Sequence, residues 1–242
     1  MPESVERVAL VTGAGRGIGR AIAIELARAG YSLCIAARNR GELDETRKLS
    51  GLAPARALIV LIDLAMDDAP EILIDAVFDR YGRLDVLVNN AGWAPPRTAL
   101  VKMSTADQDR ILAVNLRAPI ALARLAAVRM VPKSGAAIIN VASSAARLAA
   151  PGEAVYAAAK AGLVAFTHAA FSELRAKGIK TSAIVPGLVD TTLIPASKRL
   201  NRAAMLRPAD VAAAVMHVIE SPARVCPAEI VIQPQFDPMS QN

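Results

Sequence analysis

Short apolar runs alternate with longer amphipathic segments along almost the whole chain. The apolar runs predict seven β-strands, at residues 8–11, 33–36, 57–62, 84–88, 136–141, 180–184 and 229–232. The segments between them predict helices at residues 18–29, 40–49, 70–81, 105–131, 153–177 and 210–219. Gly30 and Gly82 follow two of these helices, at the position where a glycine commonly ends a helix.

Strands that alternate with helices predict a parallel sheet with right-handed crossovers. The candidates are an open doubly wound sheet and a closed eight-stranded barrel. Seven predicted strands and a glycine-rich first turn favour the open sheet, a Rossmann-like α/β fold with helices on both faces. We expect a single domain over residues 1–242, with a substrate lid at about residues 190–207. The tail after Pro234 is expected to be poorly ordered.

Composition narrows the functional classes. Hydrophobic residues make up 54% and charged residues 21%, which predicts a soluble globular chain. The formal net charge is +6, but the basic residues form no run and are not interleaved with aromatics, so no nucleic-acid binding is expected. The most apolar stretch, residues 111–130, is interrupted by arginines, so no membrane span is expected. The two cysteines lack metal spacing; we expect no metal site and a reducing, cytoplasmic location. No secretory signal is expected at the beginning of the sequence.

A glycine-rich turn joins the first predicted strand to the first helix. It reads T-G-A-G-R-G-I-G over residues 12–19. Glycines let a ligand approach the backbone closely, and the N-terminus of the following helix favours an anion such as a pyrophosphate. The turn therefore predicts a dinucleotide site.

A tyrosine and a lysine four residues apart predict proton-transfer chemistry. Tyr156 and Lys160 share one face of the fifth predicted helix. A neighbouring ammonium group is expected to lower the pKa of the phenol, so that the tyrosine exchanges a proton with a substrate oxygen near neutral pH. Ser143 or Ser144, at the end of the preceding strand, would bind that oxygen by a hydrogen bond.

Four motifs in order resemble the short-chain dehydrogenase/reductase family. They are T-G-x-x-x-G-x-G at residues 12–19, N-N-A-G at residues 89–92, a serine with Y-x-x-x-K ending at Lys160, and P-G-x-x-x-T at residues 186–191. The resemblance runs from Val8 to about Ile232. It selects Ser143 as the catalytic serine beside Tyr156 and Lys160.

The resemblance also implies roles for other residues. Asn115 would hold a water that links Lys160 to solvent as a proton relay. Asn89 would help to shape the cofactor channel. The residues implied in cofactor binding are Gly13, Gly15, Arg16, Gly17, Ile18, Gly19, Arg38, Asn39, Asp63, Leu64, Asn90, Ala91, Gly92, Tyr156, Lys160, Pro186, Gly187, Val189 and Thr191.

The choice of cofactor depends on the end of the second strand. NAD-selective sites carry an acidic residue there, whereas this chain has Arg38. Arg38 and Arg16 would pair with the 2′-phosphate of NADP(H). Ala37 lacks the hydroxyl that several NADP(H)-using relatives carry, so mixed use of NADP(H) and NAD(H) stays open. Asp63 would contact the adenine or cap a helix.

These features predict an oxidoreductase that interconverts a small-molecule carbonyl and an alcohol with NADP(H), acting as a reductase. A 3-oxoacyl-thioester reductase is one alternative, because Lys198, Arg199, Arg202 and Arg207 around the lid could receive an anionic substrate. Residues 228–234 depart from the glycine-rich end that many such reductases have. The second alternative to this function is a regulator that senses NADP(H) without turnover. Alanine-rich faces on the two long helices predict a homodimer or homotetramer.

Overall fold

A computed structural model of the chain describes residues 7–130, 135–194 and 200–239. Through these residues runs one sheet of parallel strands in the order β3-β2-β1-β4-β5-β6-β7. The strands are β1 (Val8–Thr12), β2 (Ser32–Ala37), β3 (Ala57–Leu61), β4 (Val86–Asn89), β5 (Ala137–Val141), β6 (Lys180–Pro186) and β7 (Glu229–Ile232). The predicted open, doubly wound sheet is confirmed. The order reverses between β1 and β4, and a crevice forms at the carboxyl ends of strands at such a switch point.

Helices cover both faces of the sheet. They are α1 (Gly17–Arg28), α2 (Arg40–Ser50), α3 (Ala69–Tyr81), α4 (Thr105–Leu112), α5 (Ala118–Arg129), α6 (Ala154–Leu174) and α7 (Pro208–Glu220). The prediction of one continuous helix over residues 105–131 is wrong in one respect, because a π-helical turn, Ala113–Arg117, separates α4 from α5. Pro119 has no N–H and cannot donate to the carbonyl of Asn115, so the regular hydrogen-bond pattern cannot continue there.

Alternate residues of each strand enter different cores. Ala9 and Val11 belong to a core with α1 and α7, whereas Val8 and Leu10 belong to one with α3 and α5. Burial on both faces explains why the strands read as continuous apolar runs. Cys34 lies in the second of these cores, and its burial raises the pKa of the thiol to about 12.

Two helical segments are long and apolar enough to cross a membrane by length and composition, in contrast to the sequence expectation. They are Thr105–Arg129 and Ala154–Lys177. The first packs against α3 through α5, and the second packs against β6. Their apolar character is thus that of helices covering a sheet.

The part of the tail that the structure describes, residues 235–239, contacts the rest of the chain. Met239 forms an antiparallel bridge with Leu200, and the N–H of Asn201 donates to the carbonyl of Pro238 at 2.8 Å. These backbone bonds attach the tail to the second half of the predicted lid.

A buried polar chain crosses the sheet onto α6. Asn89 and Asn140 are paired in register on β4 and β5, and the Asn89 amide donates to Asn140 Oδ1 at 2.9 Å. Asn140 in turn donates to the Thr167 hydroxyl at 2.8 Å, which donates to the Leu163 carbonyl at 2.6 Å. All three side chains are at most 2% exposed. Buried polar groups are costly without partners, so this chain of bonds fixes α6 on the sheet.

We predict that Asn140→Ala lowers the free energy of unfolding by about 2 kcal/mol or more, because it leaves the buried groups that bond to the Asn140 amide without a hydrogen-bond partner. Urea unfolding at neutral pH measures the change. Ser172→Ala removes an exposed hydroxyl from the same helix α6 and serves as the control. Equal stability of Asn140→Ala and wild type would contradict a structural role for the chain of bonds.

Candidate active site

The glycine turn is fastened to the end of β4. The Thr12 hydroxyl accepts hydrogen bonds from the N–H groups of Asn90 and Ala91, both at 3.1 Å. The Asn90 amide donates back to the carbonyls of Thr12 and Gly13. Thr12 and Asn90 therefore hold together the two loops that flank the switch point.

This contact leaves no room for side chains at two glycines. A Cβ at Gly19 would lie 2.5 Å from Asn90 Nδ2 and, within the turn, 2.2 Å from the carbonyl oxygen of Gly13, and one at Gly13 would lie 2.8 Å from Ala91 Cα. Gly13 also has a φ of 65°, in the region that favours glycine. The glycine pattern is thus required by close packing as well as by access to a ligand.

Two side chains that the sequence did not indicate bind the outer side of the turn. Arg20 donates to the Gly15 carbonyl, at 2.6 Å from its closer nitrogen. The Thr46 hydroxyl donates to the Ala14 carbonyl at 2.9 Å. With these carbonyls bound on the side of α1 and α2, the turn and the N-terminus of α1 keep a fixed shape beside the cavity described next.

One elongated cavity of about 800 Å³ runs along the carboxyl ends of the strands. We call its two ends the arginine end (Arg16, Arg38, Arg40 and Arg110) and the tyrosine end (Tyr156, Lys160, Val141 and Ala142). Most of the cofactor residues predicted from the sequence line it: Gly13, Gly15, Arg16, Gly17, Ile18, Gly19, Arg38, Asn39, Asp63, Leu64, Asn90, Ala91, Gly92, Tyr156, Lys160 and Thr191. A volume of this size suits a dinucleotide.

Three of the predicted cofactor residues do not line the cavity: Pro186, Gly187 and Val189. The predicted catalytic residues Ser143 and Asn115 are not among its lining residues either. Gly187 packs instead against the segment after β7, where an added Cβ would lie 2.2 Å from Gln233 Oε1. Val189 is buried and pairs with Leu206. These residues support the wall behind Thr191, and Thr192 and Leu193, which the sequence did not single out, line the cavity beside it.

Every cation at the arginine end has a carboxylate nearby. Arg110 donates to Asp63 at 2.6 Å, and Arg38 lies 4.0 Å from the same oxygen. Arg16 lies 3.3 Å from Glu42, and Arg40 pairs with Asp44. The sequence reasoning missed Arg110 and Glu42. The sequence signal for Glu42 was its helical spacing, because Glu42 lies four residues before the buried Thr46 on α2.

Asp63 is held ionised in this setting. Burial acts to raise its pKa, but the N–H of Ala65 and the guanidinium of Arg110 outweigh it and hold the pKa below the ordinary value. The carboxylate accepts from Ala65 at 3.0 Å, which closes a short turn after β3. Its predicted role as the cap of α3 is wrong, because Asp68 occupies that position.

The catalytic residues predicted from the sequence meet at the tyrosine end. Ser143 follows β5, and its side chain is hydrogen-bonded to Tyr156 in the first turn of α6. Lys160 lies one turn further on, with its Nζ 5.8 Å from the centre of the Tyr156 ring. The Lys160 ammonium donates to the Val141 carbonyl at 2.9 Å, and the residue is 3% exposed.

The pKa values of the pair differ from the sequence expectation. Burial raises the pKa of Tyr156 to about 12, although the bond from Ser143 opposes the rise. Burial also lowers the pKa of Lys160 to about 8. The prediction of a lowered pKa for Tyr156 is therefore wrong for the chain by itself, because the loss of hydration on burial is the largest influence on both groups.

Asn115 lies in the π-helical turn and is completely buried. Its amide donates to the carbonyls of Trp93 and Ile111, at 2.6 and 2.9 Å, and its oxygen accepts from the Trp93 N–H. A Cβ at Gly92 would lie 3.2 Å from Asn115 Oδ1 and 3.8 Å from Lys160 Nζ. Asn115 thus fixes the loop after β4 close to Lys160; the water relay stays a prediction.

A rim of two loops borders the tyrosine end. Arg97 donates to Glu153 at 2.8 Å, and the N–H of Thr98 donates to the carbonyl of Gly152 at 3.2 Å. Glu153 directly precedes α6 and its negative charge acts to raise the pKa of Tyr156. The rim therefore joins the loop that carries Arg97 and Thr98 to the turn that precedes Tyr156.

One of the four basic residues of the predicted lid, Arg202, is engaged with other residues of the protein. Arg202 pairs with Asp190 and donates to the Ile194 carbonyl at 2.7 Å. Arg207 precedes α7 as its N-cap. Lys198 and Arg199 lie outside the described residues.

The buried ammonium predicts a pH dependence of stability. Lys160 loses its proton near pH 8 in the folded chain and near 10.5 when exposed, so the unfolded state binds more protons between these values. The contribution of Lys160 to stability therefore rises with pH across this window, by about 3 kcal/mol for a shift of this size, while the raised pKa values of Cys34 and Tyr156 act in the opposite direction. We expect urea unfolding of wild type, compared with Lys160→Met, to show this gain; parallel pH curves would contradict it.

The rim predicts opposite effects from two variants that break the same ion pair. Glu153→Gln removes a negative charge and should lower the pKa of Tyr156, by roughly a few tenths of a unit. Arg97→Gln leaves the Glu153 charge uncompensated and should raise it. Absorbance titration of tyrosinate, with Tyr156→Phe as the reference, measures both. Shifts in the same direction would indicate a structural effect only.

Known proteins share the sequence and the fold. Residues 7–201 match the family model described as short chain dehydrogenase. The chain is 37% identical over 220 residues to the cis-4-hydroxycyclohexanecarboxylate dehydrogenase of Sinomonas cyclohexanicum, with 87% of this chain and 88% of that protein covered. It is 34% identical over 188 residues to a 3-oxoacyl-[acyl-carrier-protein] reductase of Synechocystis, with 77% and 76% covered.

A solved structure shares this fold along nearly the whole chain. It is a metagenomic short-chain oxidoreductase in complex with NADP, with a TM-score of 0.81 and 31% identity, covering 95% of this chain and 98% of that one. The motifs, the sheet order and these relatives lead to one assignment. The chain belongs to the short-chain dehydrogenase/reductase family, whose members are oxidoreductases that act on alcohols and carbonyls with NAD(P)(H).

Proposed function

We propose that this protein reduces a small or medium-sized carbonyl compound to an alcohol with NADPH. The observation that carries the proposal is the continuity of one cavity, from four arginines at one end to Tyr156 and Lys160 at the other. Carbonyl reduction by NADPH needs cations at the 2′-phosphate of the cofactor and, beside its nicotinamide, a proton donor to the carbonyl oxygen of the substrate.

The residues of the cavity fit this cofactor. The glycine turn and the N-terminus of α1 would hold the pyrophosphate, and Arg16 and Arg38 would hold the 2′-phosphate. Asp63 would bind at the adenine, while Asn90, Gly92 and Thr191 would border the nicotinamide. When bound, the nicotinamide supplies the hydride that reduces the carbonyl carbon.

The protein's own residues manage the proton. A phenol with a pKa of about 12 is protonated at neutral pH, so Tyr156 is ready to donate its proton to the oxygen that becomes the hydroxyl. Ser143 would hold the same oxygen by its hydroxyl, and Lys160 would stabilise the tyrosinate that remains. Asn115 would keep a water near Lys160 for proton return.

Apolar side chains in the cavity lining favour a neutral substrate over a carrier-bound one. Trp93 and Leu193 are among the lining residues, and Arg202 is engaged with Asp190. A 3-oxoacyl thioester stays the second candidate, supported by the similarity to 3-oxoacyl reductases. The regulator hypothesis is disfavoured because Ser143, Tyr156 and Lys160 meet as a catalytic group requires.

We further propose a cytoplasmic homo-oligomer that does not bind nucleic acid. Both cysteines are free thiols, as expected in a reducing compartment. Leu112 and Val128 are exposed on the helical segment of α4 and α5, at 40% and 75%, which supports its pairing with a second copy.

We expect the purified protein to oxidise NADPH in the presence of aldehydes, ketones, diketones or an acetoacetyl thioester, and to use NADH less well. Tyr156→Phe should lower kcat/KM by at least roughly 100-fold, because it removes the proton donor. Tyr81→Phe removes a hydroxyl from the opposite edge of the domain and is the matched control.

Three outcomes separate the hypotheses. Full activity of Tyr156→Phe would contradict the catalytic assignment, and a preference for NADH would contradict the role of Arg16 and Arg38 only. Tight NADPH binding with no turnover of any carbonyl would favour the regulator instead.

A further inference from the structure

Glu42 is an acidic side chain in the wall of the arginine end that no step above uses. It lies in the first turn of α2, where its N–H donates to the side chain of Asn39 at 3.1 Å. A Cβ at Gly15 would lie 2.9 Å from Glu42 Oε2, so the carboxylate sits directly against the glycine turn. The other carboxylate oxygen lies 3.3 Å from Arg16 Nη1.

The surroundings of Glu42 place it in competition with an anionic ligand. Among the described residues, Glu42 is the acid paired with Arg16, and both side chains line the cavity. The Arg16 side chain is 59% exposed and that of Glu42 is 32% exposed, so neither is fixed by burial. A phosphate that binds Arg16 must either displace Glu42 or lie close to its negative charge.

We propose that Glu42 is a specificity-determining residue that reduces the preference of this protein for NADP(H) over NAD(H). This inference rests on the proposed function, because it takes the 2′-phosphate of NADP(H) as the anion that reaches Arg16. In this proposal, the acidic residue that NAD-selective sites carry at the end of β2 has a counterpart on α2.

Two effects of Glu42 have the same sign. Its carboxylate repels the dianionic 2′-phosphate, and its ion pair holds the Arg16 side chain that the phosphate needs. NAD(H) carries a neutral hydroxyl at this position and is subject to neither effect. The ion pair is exposed, so its effect is modest and is screened by salt.

The test is the affinity of both cofactors for Glu42→Gln. Glu45→Gln is the matched control, because Glu45 is exposed on the same helix and its removal changes the net charge equally. The single tryptophan, Trp93, lines the same cavity, so energy transfer from Trp93 to the reduced nicotinamide reports binding without a substrate. We expect Glu42→Gln to bind NADPH roughly threefold to tenfold more tightly at low salt, with NADH unchanged.

The outcomes distinguish this inference from the proposed function. Glu45→Gln should leave both affinities unchanged, and the gain in Glu42→Gln should shrink in high salt. An equal change for NADPH and NADH, or no change, would overturn the inference even where wild type prefers NADPH. Weaker NADH binding by Glu42→Gln would overturn it as well, since Glu42 would then be a ribose ligand. A wild type that prefers NADH would contradict the proposed cofactor, while the change in the NADPH to NADH ratio would still decide the role of Glu42.

Discussion

The close contact between the glycine turn and the end of β4 is the constraint on which the site depends. A Cβ at Gly19 would lie 2.5 Å from Asn90 Nδ2, and one at Gly13 would lie 2.8 Å from Ala91 Cα, so the two loops can meet only without side chains there. Thr12 and Asn90 then bind the loops across the gap between β1 and β4. Because the strand order reverses at this gap, the contact fixes the floor of one cavity that reaches both the arginines and Tyr156.

The tyrosine end depends on a charge held out of water. Lys160 has the Val141 carbonyl as its hydrogen-bond partner and is almost fully buried, which lowers its pKa to about 8. Tyr156 is protonated for the same reason, so burial produces both a ready proton donor and a cation whose charge is not solvated. The polar chain from Asn89 to Thr167 holds α6 in the position that brings these groups together. The stability that this polar chain contributes supports the placement of groups whose burial is costly.

Periodicity predicted the strands and the sheet class, and the motifs that carry the family resemblance indicated 16 of the 29 residues that line the cavity. Each such feature has a local cause, such as alternation along a strand or a glycine between a strand and a helix. The missed features arise from tertiary contacts. Arg110 and Glu42 enter the site because α4 and α2 pack where they do, and Gly187 turns away because it meets Gln233. The low pKa expected for Tyr156 was wrong because spacing shows that Lys160 is near but does not show how deeply both groups are buried. Pro119, four residues after Asn115, was a visible signal of the π-helical turn.

Hydrogen transfer at the tyrosine end is tested most directly by isotopic labelling. The protein is incubated in ordinary water with a carbonyl substrate and NADPH that carries deuterium at both C4 positions of the nicotinamide. Reduction in the cavity predicts an alcohol with one deuterium on the carbinol carbon and a hydroxyl proton from solvent. An alcohol that carries no deuterium, or bound NADPH that labels none of the carbonyls offered, would contradict the assignment of this cavity as a reductase site.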